Sequence, residues 1–469
     1  MRRKLMISLL IALTLFTSPF IITSYNDSDR SNSLPNLLKA TGLLELLQQP
    51  KVYKLRAFVI GPGPMGIKKA TNLELAAKRI NELLEILGLP ARVEVKAEFS
   101  MLKWGPFEEK FYTDFKAGRA PDIVTLRNTA ELAEGGFIVC LDEFVRKFWN
   151  FTFYDFWPNL WEGATYKGKI WGIPHDICPT GIWFRKDVLR KLGYSDAEIS
   201  KLLPPDGNTT LDVVVKLARE AVEAGLVEYG ILHRPSAGPG FYATLLMFGA
   251  ECYDPKTNRL ILNKPALSKF YKWHAEMVKE GIIPPEPPPW KTIHSTFIEG
   301  KTFMTWASHV GTPSEWMAKY GLSEETLKRD LGFMPFPPAV PGVKPVSVCD
   351  FPLYFVTTQC KYPEIAALVI MFATMPEPCA IHSAYSLRPP YRRSAVYHPL
   401  IKNNWYIQRV YKSVATVRPV PIHPKFWQYM RRAFENLKGV EAGIITPEQA
   451  VADLESWIRS EAPDSIIIG

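Results

Sequence analysis

The sequence lacks the short motifs that mark common enzymes and metal centres. It contains neither HExxH nor GxSxG, and its eight histidines are scattered without metal-ligand spacing. Its six cysteines form no CxxC pair, so neither a zinc ribbon nor a thioredoxin-like motif is present. We therefore expect no metal, no cofactor and no catalytic residue. A secreted glycosidase is the remaining enzymatic alternative, because sequence alone cannot measure the distance of about 5–10 Å between its two acids.

The sequence also has no concentrated basic tract. The net charge of +9 is modest for 469 residues, and acidic residues are interspersed among the basic ones. The basic runs at residues 2–4 and 392–393 are short. A nucleic-acid-binding protein would carry a basic stripe or a known motif. The sequence therefore argues against nucleic acid as a partner.

One segment matches a nucleotide-binding pattern without its chemistry. Residues 61–66 read GPGPMG and fit GxGxxG after a predicted strand. Pro62 and Pro64 each lack the backbone N–H that would point at a phosphate. We interpret this segment as a loop that lines a cleft.

The N-terminus has the order of a secretory signal. Three basic residues at 2–4 precede an apolar run over 5–22. This run of about 17 residues is close to the ~20 that a membrane-spanning helix needs, so cleavage and retention are both open. A lipid anchor needs a cysteine directly after the run, and the first cysteine is Cys140. We predict a signal peptide or N-terminal membrane anchor over 1–24, a spacer over 25–51, and an extracellular protein, secreted or tethered.

Predicted strands and helices alternate along the remaining chain. In the helix predicted at 73–87, for example, apolar residues recur at spacings of three and four. The predicted strands are 53–60, 93–99, 123–126, 181–184, 227–232 and 351–358. The predicted helices are 73–87, 107–116, 186–192, 210–224, 267–280, 362–374, 425–437 and 447–460. This alternation predicts an α/β fold with parallel sheets covered by helices on both faces.

Four segments, in order, resemble the extracellular solute-binding proteins of sugar-type ABC importers (family 1, the maltose- and trehalose-binding-protein-like family). Each segment is loose by itself, but four in the right order are specific. They are FKAGRAPDIV at 115–124 with LAEGGFIVCLD at 132–142, YKGKIWGIP at 166–174 with GIWFRKDVL at 181–189, FIEGKTFM at 297–304, and LKGVEAGIITPEQA at 437–450.

The resemblance implies a two-lobed, periplasmic-binding-protein-like fold. Each lobe would be a mostly parallel sheet flanked by helices, and both lobes would be discontinuous along the chain. Lobe one would comprise 52–174 and 350–396, and lobe two 180–348 and 405–465. The chain would cross a hinge near 173–181, 349–354 and 397–405.

The resemblance also implies the function of an ABC importer's substrate-binding component. Such a protein would bind a sugar or oligosaccharide in the interlobe cleft, as a monomer, and deliver it to membrane permease subunits that work with a cytoplasmic ATPase. A peptide or another small solute stays open as the ligand, because arginine and aspartate side chains suit peptide termini as well as hydroxyls.

Some candidate ligand-binding residues follow from their position after predicted strands. A sugar needs flat aromatic faces and groups that pair its hydroxyls. Arg127 and Asn128 follow the strand at 123–126, although they could be a solvated loop. His175 and Asp176 lie at the first crossing, where Asp176 could bind two hydroxyls or cap a turn. Aromatic candidates are Phe241 and Tyr242, after the loop at 236–240, with core packing as the alternative.

Further candidates rest on the resemblance. Trp306 follows 300–304, where the family usually carries a stacking aromatic residue. Arg388 lies where relatives have a ligand-facing loop, and Trp427 fits a late aromatic wall, with a helix anchored to the core as the alternative. Asp350 stands at the second crossing, in place of a glycine-rich pair.

Overall fold

The computed structural model describes residues 34–61 and 64–469. The predicted signal peptide or anchor at 1–24 therefore lies outside the described residues, as do Pro62 and Gly63 of the GxGxxG-like segment. The chain divides into two units. Unit one comprises the described residues up to Ile177 together with Phe351–Trp405, and unit two comprises Cys178–Asp350 and Tyr406–Gly469.

The first segment of unit one alternates strands and helices. Its helices and strands are α1 (Leu34–Ala40), α2 (Leu43–Leu47), β1 (Val52–Ile60), α3 (Pro64–Ile86), β2 (Arg92–Ser100), α4 (Trp104–Lys116), β3 (Ile123–Leu126), α5 (Thr129–Glu134), α6 (Asp142–Lys147), α7 (Leu160–Ala164), β4 (Thr165–Tyr166), β5 (Lys169–Ile170) and β6 (Ile173–Pro174).

Unit two begins with its larger segment. The elements are β7 (Ile182–Arg185), α8 (Lys186–Lys191), α9 (Asp196–Leu202), α10 (Leu211–Glu223), β8 (Tyr229–Leu232), α11 (Pro239–Met247), β9 (Tyr253–Asp254), β10 (Arg259–Asn263), α12 (Lys264–Lys279), α13 (Ile293–Ile298), β11 (Thr302–Thr305), α14 (Thr312–Tyr320), α15 (Glu324–Asp330), β12 (Leu331–Met334) and β13 (Ser347–Cys349).

The chain then returns to unit one and ends in unit two. The remaining elements are β14 (Leu353–Val356), α16 (Pro363–Ala373), α17 (Pro376–Ser386), α18 (Pro399–Lys402), α19 (Trp405–Val410), β15 (Val417–Pro419), α20 (Phe426–Glu441), α21 (Pro447–Glu461) and β16 (Ile466–Ile468). Short 3₁₀ turns lie at Phe153–Asp155, Ser394–Tyr397 and Tyr411–Thr416.

The main sheet of each unit is mixed rather than wholly parallel. Unit one has five strands in the order β2-β1-β3-β14-β6, with β14 antiparallel to both neighbours. Unit two has four strands in the order β12-β7-β11-β8, with β7 antiparallel to both neighbours. Each antiparallel strand is the first one after the chain enters that unit from the other. The predicted α/β class is confirmed. In each sheet, the strand that runs in the opposite direction is the one by which the chain enters the unit.

Local sequence explains where several helices begin. Thr210 caps α10, because its side chain accepts a hydrogen bond from the backbone N–H of Val213. Thr446 and Gln449 form a capping box at the start of α21, since each side chain accepts from the other residue's backbone N–H. These caps place amphipathic helices against the core of unit two.

The predicted spacer contains two short helices that pack against unit one. The side chains of Leu37, Leu43 and Leu47 are buried. The hydroxyl of Tyr53 in β1 donates to the backbone oxygen of Leu46 at 2.6 Å. Leucines at these spacings therefore mark a folded edge of unit one.

None of the six cysteines forms a disulfide bond in the structure, and all six lie within the described residues. The spacing of Cys349 and Cys360 suggests a hairpin that a disulfide could bridge, but the structure does not contain this bridge. Cys349 ends β13 in unit two, whereas Cys360 follows β14 in unit one, so the two do not belong to one hairpin.

Over the part of the chain that the structure describes, no single helix has the length and apolar composition needed to cross a membrane. The pair α16 and α17 meets that test only jointly, with a bend of 62° between its two helices.

Candidate functional site

Polar side chains collect at one edge of the main sheet of unit one. Strands β1, β3 and β6 run in the same direction, so their carboxyl ends share this edge. Arg127 and Asn128 follow β3, and His175 and Asp176 follow β6. In α/β sheets, ligands bind outside the carboxyl ends of the strands. This edge is therefore the candidate binding face of unit one.

Asp176 is the centre of a buried ionic cluster at this edge. Its side chain has no exposed surface and forms an ion pair with Arg388, while Oδ2 lies 3.2 Å from Nζ of Lys69. Nε2 of His382 lies 3.1 Å from Oδ1. Lys69 belongs to α3, His382 to α17, and Arg388 follows α17. Two stretches of chain that are far apart in sequence therefore converge on one carboxylate.

The charges of this cluster fix its ionisation. Burial alone would raise the pKa of Asp176, but the positive charges of Arg388 and Lys69 outweigh burial and hold that pKa well below its usual value. Burial, with the nearby Lys69, lowers the pKa of His175 well below its usual value. Near neutral pH the cluster therefore contains a carboxylate beside a neutral imidazole.

Several buried polar atoms of His175 and of α17, the helix that carries His382, have no hydrogen-bond partner in the described part of the chain. They are Nε2 of His175, Nδ1 of His382, and the hydroxyls of Ser383 and Ser386. The His175 ring itself is held by stacking on Tyr354, with ring centroids 3.8 Å apart. Buried polar groups are normally paired, so these atoms have hydrogen-bonding capacity left for water or a hydroxylated ligand.

The corresponding edge of unit two is aromatic. Trp306 follows β11 and lies parallel to Trp273, with centroids 5.8 Å apart and ring planes 7° apart. The rings of Trp306 and Phe336 also form a T-shaped contact, with centroids 5.8 Å apart. Trp306 is buried in the hydrophobic core of unit two, and its Nε1 has no hydrogen-bond partner among the described residues. This edge therefore holds a buried ring with one unused indole donor beside the half-buried ring of Trp273.

The family of bacterial extracellular solute-binding proteins matches residues 91–377, which is more than half of the chain. The chain belongs to this family. The match spans the carboxyl end of β3, the Asp176 segment and Trp306, whereas Lys69, His382 and Arg388 lie outside it. A comparison with curated protein sequences finds no match.

Solved structures share the fold of this solute-binding protein. The sugar-binding protein MalE of Xanthomonas citri is 18% identical with a TM-score of 0.69, over 86% of this chain and 96% of that chain. The GacH receptor of Streptomyces glaucescens, solved unliganded and with acarbose, is 16% identical with a TM-score of 0.67, over 88% and 99%. A cyclo/maltodextrin-binding protein complexed with maltotetraose is 20% identical with a TM-score of 0.66, over 87% and 98%. At these identities the likeness shows the two-lobed fold.

Two predicted site residues of this solute-binding protein, Arg127 and Asn128, lie at the same sheet edge as Asp176. Local structure also explains the position of each. The guanidinium of Arg127 lies over the ring of Trp104, 4.1 Å from its centroid, and Nη2 is 3.2 Å from Oε1 of Glu108. Asn128 has left-handed backbone angles, φ 61° and ψ 51°, at the residue that precedes α5. Asparagine tolerates this conformation better than most residues, so its position also has a backbone reason.

The other predicted residues of unit two are placed differently. Phe241 and Tyr242 lie inside the hydrophobic core, where their rings pack edge-on against Phe434 and Phe426, as in the packing alternative. Trp427 is half-buried and packs on the same core from α20. Asp350 is half-buried and is the last residue before the chain enters unit one.

The structure reveals functional candidates that the sequence did not indicate. Lys69 and His382 complete the Asp176 cluster, but neither lies in a motif, and only the fold brings them together. In unit two the exposed ring of Trp290 lies under Arg234, whose guanidinium is 5.0 Å from the ring centroid. The proline-rich composition around Trp290 predicts a loop and so gives no signal for a ring held in place.

Proposed function

We propose that this solute-binding protein is the extracytoplasmic component of an ABC importer, that it binds a sugar or oligosaccharide, and that it delivers the sugar chemically unchanged to membrane permease subunits. Family membership over residues 91–377 is the observation that carries the proposal. The relatives with this fold include one complexed with maltotetraose, one with acarbose and one with mannotriose bound.

The chemistry of the two candidate edges supports a sugar. A sugar ring has apolar C–H faces and hydroxyl edges, so it needs both aromatic surfaces and hydrogen-bonding groups. Unit one supplies the carboxylate of Asp176, imidazole nitrogens and the unpaired hydroxyls of α17. Unit two supplies the parallel rings of Trp306 and Trp273. A ligand without hydroxyl groups could not use the hydrogen-bonding groups of unit one, and a ligand without apolar faces could not use the rings of unit two.

A ligand screen by thermal unfolding tests the proposal. The purified chain is heated with mono- and oligosaccharides, amino acids and short peptides. A ligand present at 100 times its dissociation constant adds about 2.7 kcal/mol of stability, which moves the midpoint by several degrees. We expect oligosaccharides to raise the midpoint and to be recovered intact by chromatography.

Two results of this screen would contradict the proposal that the protein binds and releases an intact sugar. A response to peptides with silent sugars would replace the sugar by a peptide ligand. Recovery of shortened oligosaccharides would show hydrolysis and exclude a simple binding role. Closure of the two units on the ligand stays a prediction, and a smaller radius of gyration on ligand addition in X-ray scattering would support it.

A further inference from the structure

A second buried polar cluster lies inside unit two. It consists of His233 directly after β8, His274 in α12, and Glu441, the last residue of α20. All three side chains are buried, at most 5% exposed, and the rings of Phe270 and Phe434 pack against the two histidines. Charged and titratable groups in such an apolar setting need strong partners.

The three side chains point their nitrogen and oxygen atoms at one another. Oε1 of Glu441 is 2.9 Å from Nε2 of His233 and 2.8 Å from Nδ1 of His274. Oε2 of Glu441 is 3.1 Å from the same Nε2 of His233. One nitrogen or oxygen atom from each residue lies within 4.8 Å of those from the other two. Two imidazoles and a carboxylate thus share one small volume.

Proton positions around His233 leave a place for a cation. Nδ1 of His233 is 2.8 Å from the carbonyl oxygen of Arg234, which can only accept, so Nδ1 carries the proton. In the neutral ring, Nε2 then has a lone pair that faces two carboxylate oxygens, which also only accept. Either a second proton on the ring or a metal ion must therefore lie between Nε2 and Glu441. Histidines that bind metals typically have their other ring N–H bonded to a backbone carbonyl in this way.

The carboxylate of Glu441 has no lysine or arginine partner among the described residues. In addition, Nε2 of His274 is buried without a hydrogen-bond partner in the described part of the chain. The cluster therefore combines a buried carboxylate that has no basic side chain beside it with an imidazole nitrogen that no described residue pairs.

We propose that His233, His274 and Glu441 form a structural binding site for one divalent transition metal ion of the zinc class. Two imidazoles and one carboxylate are a usual zinc ligand set, and imidazole selects such ions over magnesium and calcium. Three protein ligands leave one tetrahedral position for a water molecule. The ion would tie the end of β8 to α12 and α20, and would stabilise unit two independently of any sugar.

Metal titration of the full chain tests this site. The protein is stripped with a chelator, desalted and incubated with Zn²⁺, Co²⁺ or Mg²⁺, and bound metal is measured by elemental analysis. We expect about one zinc per chain, a higher thermal midpoint with Zn²⁺, no effect of Mg²⁺, and visible absorption bands of four-coordinate Co²⁺. A chain that retains no zinc and shows no midpoint shift would overturn the proposal.

Variants locate the ion. His274→Gln and Glu441→Gln should weaken zinc binding by at least roughly 10–100-fold, because each removes a ligand. His398→Asn in unit one is the matched control, since His398 caps α18 outside the cluster, and it should bind zinc as the wild type does. Unchanged zinc binding by His274→Gln would disprove the assignment.

The cobalt spectrum of the wild type keeps the test decisive if a variant does not fold. Nitrogen and oxygen ligands give only the weak visible bands, whereas cysteine ligands add strong near-ultraviolet charge-transfer absorption. Thiolate absorption would assign the ion to cysteines and overturn the His233, His274 and Glu441 site. No readout involves a sugar, so this proposal and the proposed function can fail separately.

Discussion

Each unit has a carboxylate deep in its interior, and these two carboxylates have different kinds of partner. Asp176 of unit one pairs with Arg388 and Lys69, whose positive charges hold the pKa of Asp176 well below its usual value. Glu441 of unit two pairs with two histidines, which can be neutral, protonated or metal-bound. The Asp176 cluster is therefore a fixed ionic structure, whereas the Glu441 cluster can change its charge.

The two clusters are equally buried, but they join different parts of their units. Asp176 follows β6 at the carboxyl edge and is next to His175, whose buried Nε2 has no hydrogen-bond partner among the described residues. Glu441 ends α20, and its contacts with His233 and His274 join α20 to the end of β8 and to α12. We therefore propose ligand recognition for the first cluster and stabilisation for the second.

Replacement of Asp176 should give the largest effect. Asp176→Asn leaves the charges of Arg388 and Lys69 buried beside an uncharged amide, so we expect a loss of about 3–5 kcal/mol in the free energy of unfolding. Urea unfolding followed by tryptophan fluorescence measures it. Glu94→Gln is the control, because its ion pair with Lys54 is exposed and worth about 0–1 kcal/mol. A cost below about 1 kcal/mol for Asp176→Asn would show that the cluster is not a fixed ionic structure.

Replacement of Glu441 should cost less, although it is equally buried. In Glu441→Gln, the two histidines can lose their excess proton at neutral pH, so only hydrogen bonds are lost, and we expect about 1–3 kcal/mol. The measurement is the same urea titration, made on chelator-treated protein. If Glu441→Gln is as costly as Asp176→Asn, the histidines cannot discharge, and the contrast between the clusters is wrong.

Acid should weaken unit one through Asp176. Its pKa in the folded protein is held below the unfolded value of about 3.9, so its stabilisation is complete above that pH and is lost as the pH falls further. One such proton changes stability by at most about 1.4 kcal/mol per pH unit. The titratable and charged groups that interact with Asp176 are Lys69, Arg388, His382, His175, Tyr354 and Tyr391.

Unfolding free energies measured between pH 5 and pH 2.5 test this linkage. In the wild type, the Asp176 contribution appears as a steeper loss below about pH 4. The variant Asp176→Asn should lose that part of the slope, while Glu94→Gln should retain it. Equal slopes in all three proteins would assign the acid sensitivity to other carboxylates.

The sequence predicts elements whose signals are local. The helix predicted at 210–224 is found at Leu211–Glu223, because Thr210 supplies its cap and apolar residues recur along one face. In contrast, α17 at Pro376–Ser386 has little amphipathic pattern, since its buried side includes Cys379, His382 and Ser383. Packing against the rest of unit one makes it a helix, and no local pattern shows this.

The candidate site could be predicted only in part for the same reason. Asp176 and Arg388 were both indicated by sequence, but their ion pair joins residues 212 positions apart, and only the fold reveals it. The Glu441 cluster joins residues 167 and 208 positions apart, so a search for metal-ligand spacing cannot detect it. A tryptophan such as Trp306 can be recognised as an aromatic candidate, whereas its burial depends on neighbours far along the chain.

The smallest expected effect concerns the indole donor of Trp306. Because its Nε1 is buried without a protein partner, Trp306→Phe breaks no protein hydrogen bond, and the smaller ring should cost only about 1 kcal/mol in the free energy of unfolding. If a sugar hydroxyl accepts from this donor, the variant should bind about 5–10-fold more weakly, which corresponds to about 1–1.4 kcal/mol. Trp316→Phe removes a second buried, unpaired indole N–H in unit two, packed against Trp183 and Phe297, and should bind normally. Calorimetric titration with the best oligosaccharide measures the affinity of both variants. If the two affinities are equal, the Trp306 donor does not bind the sugar. Unit two would then contribute ring packing alone, and hydroxyl recognition would belong to the Asp176 cluster.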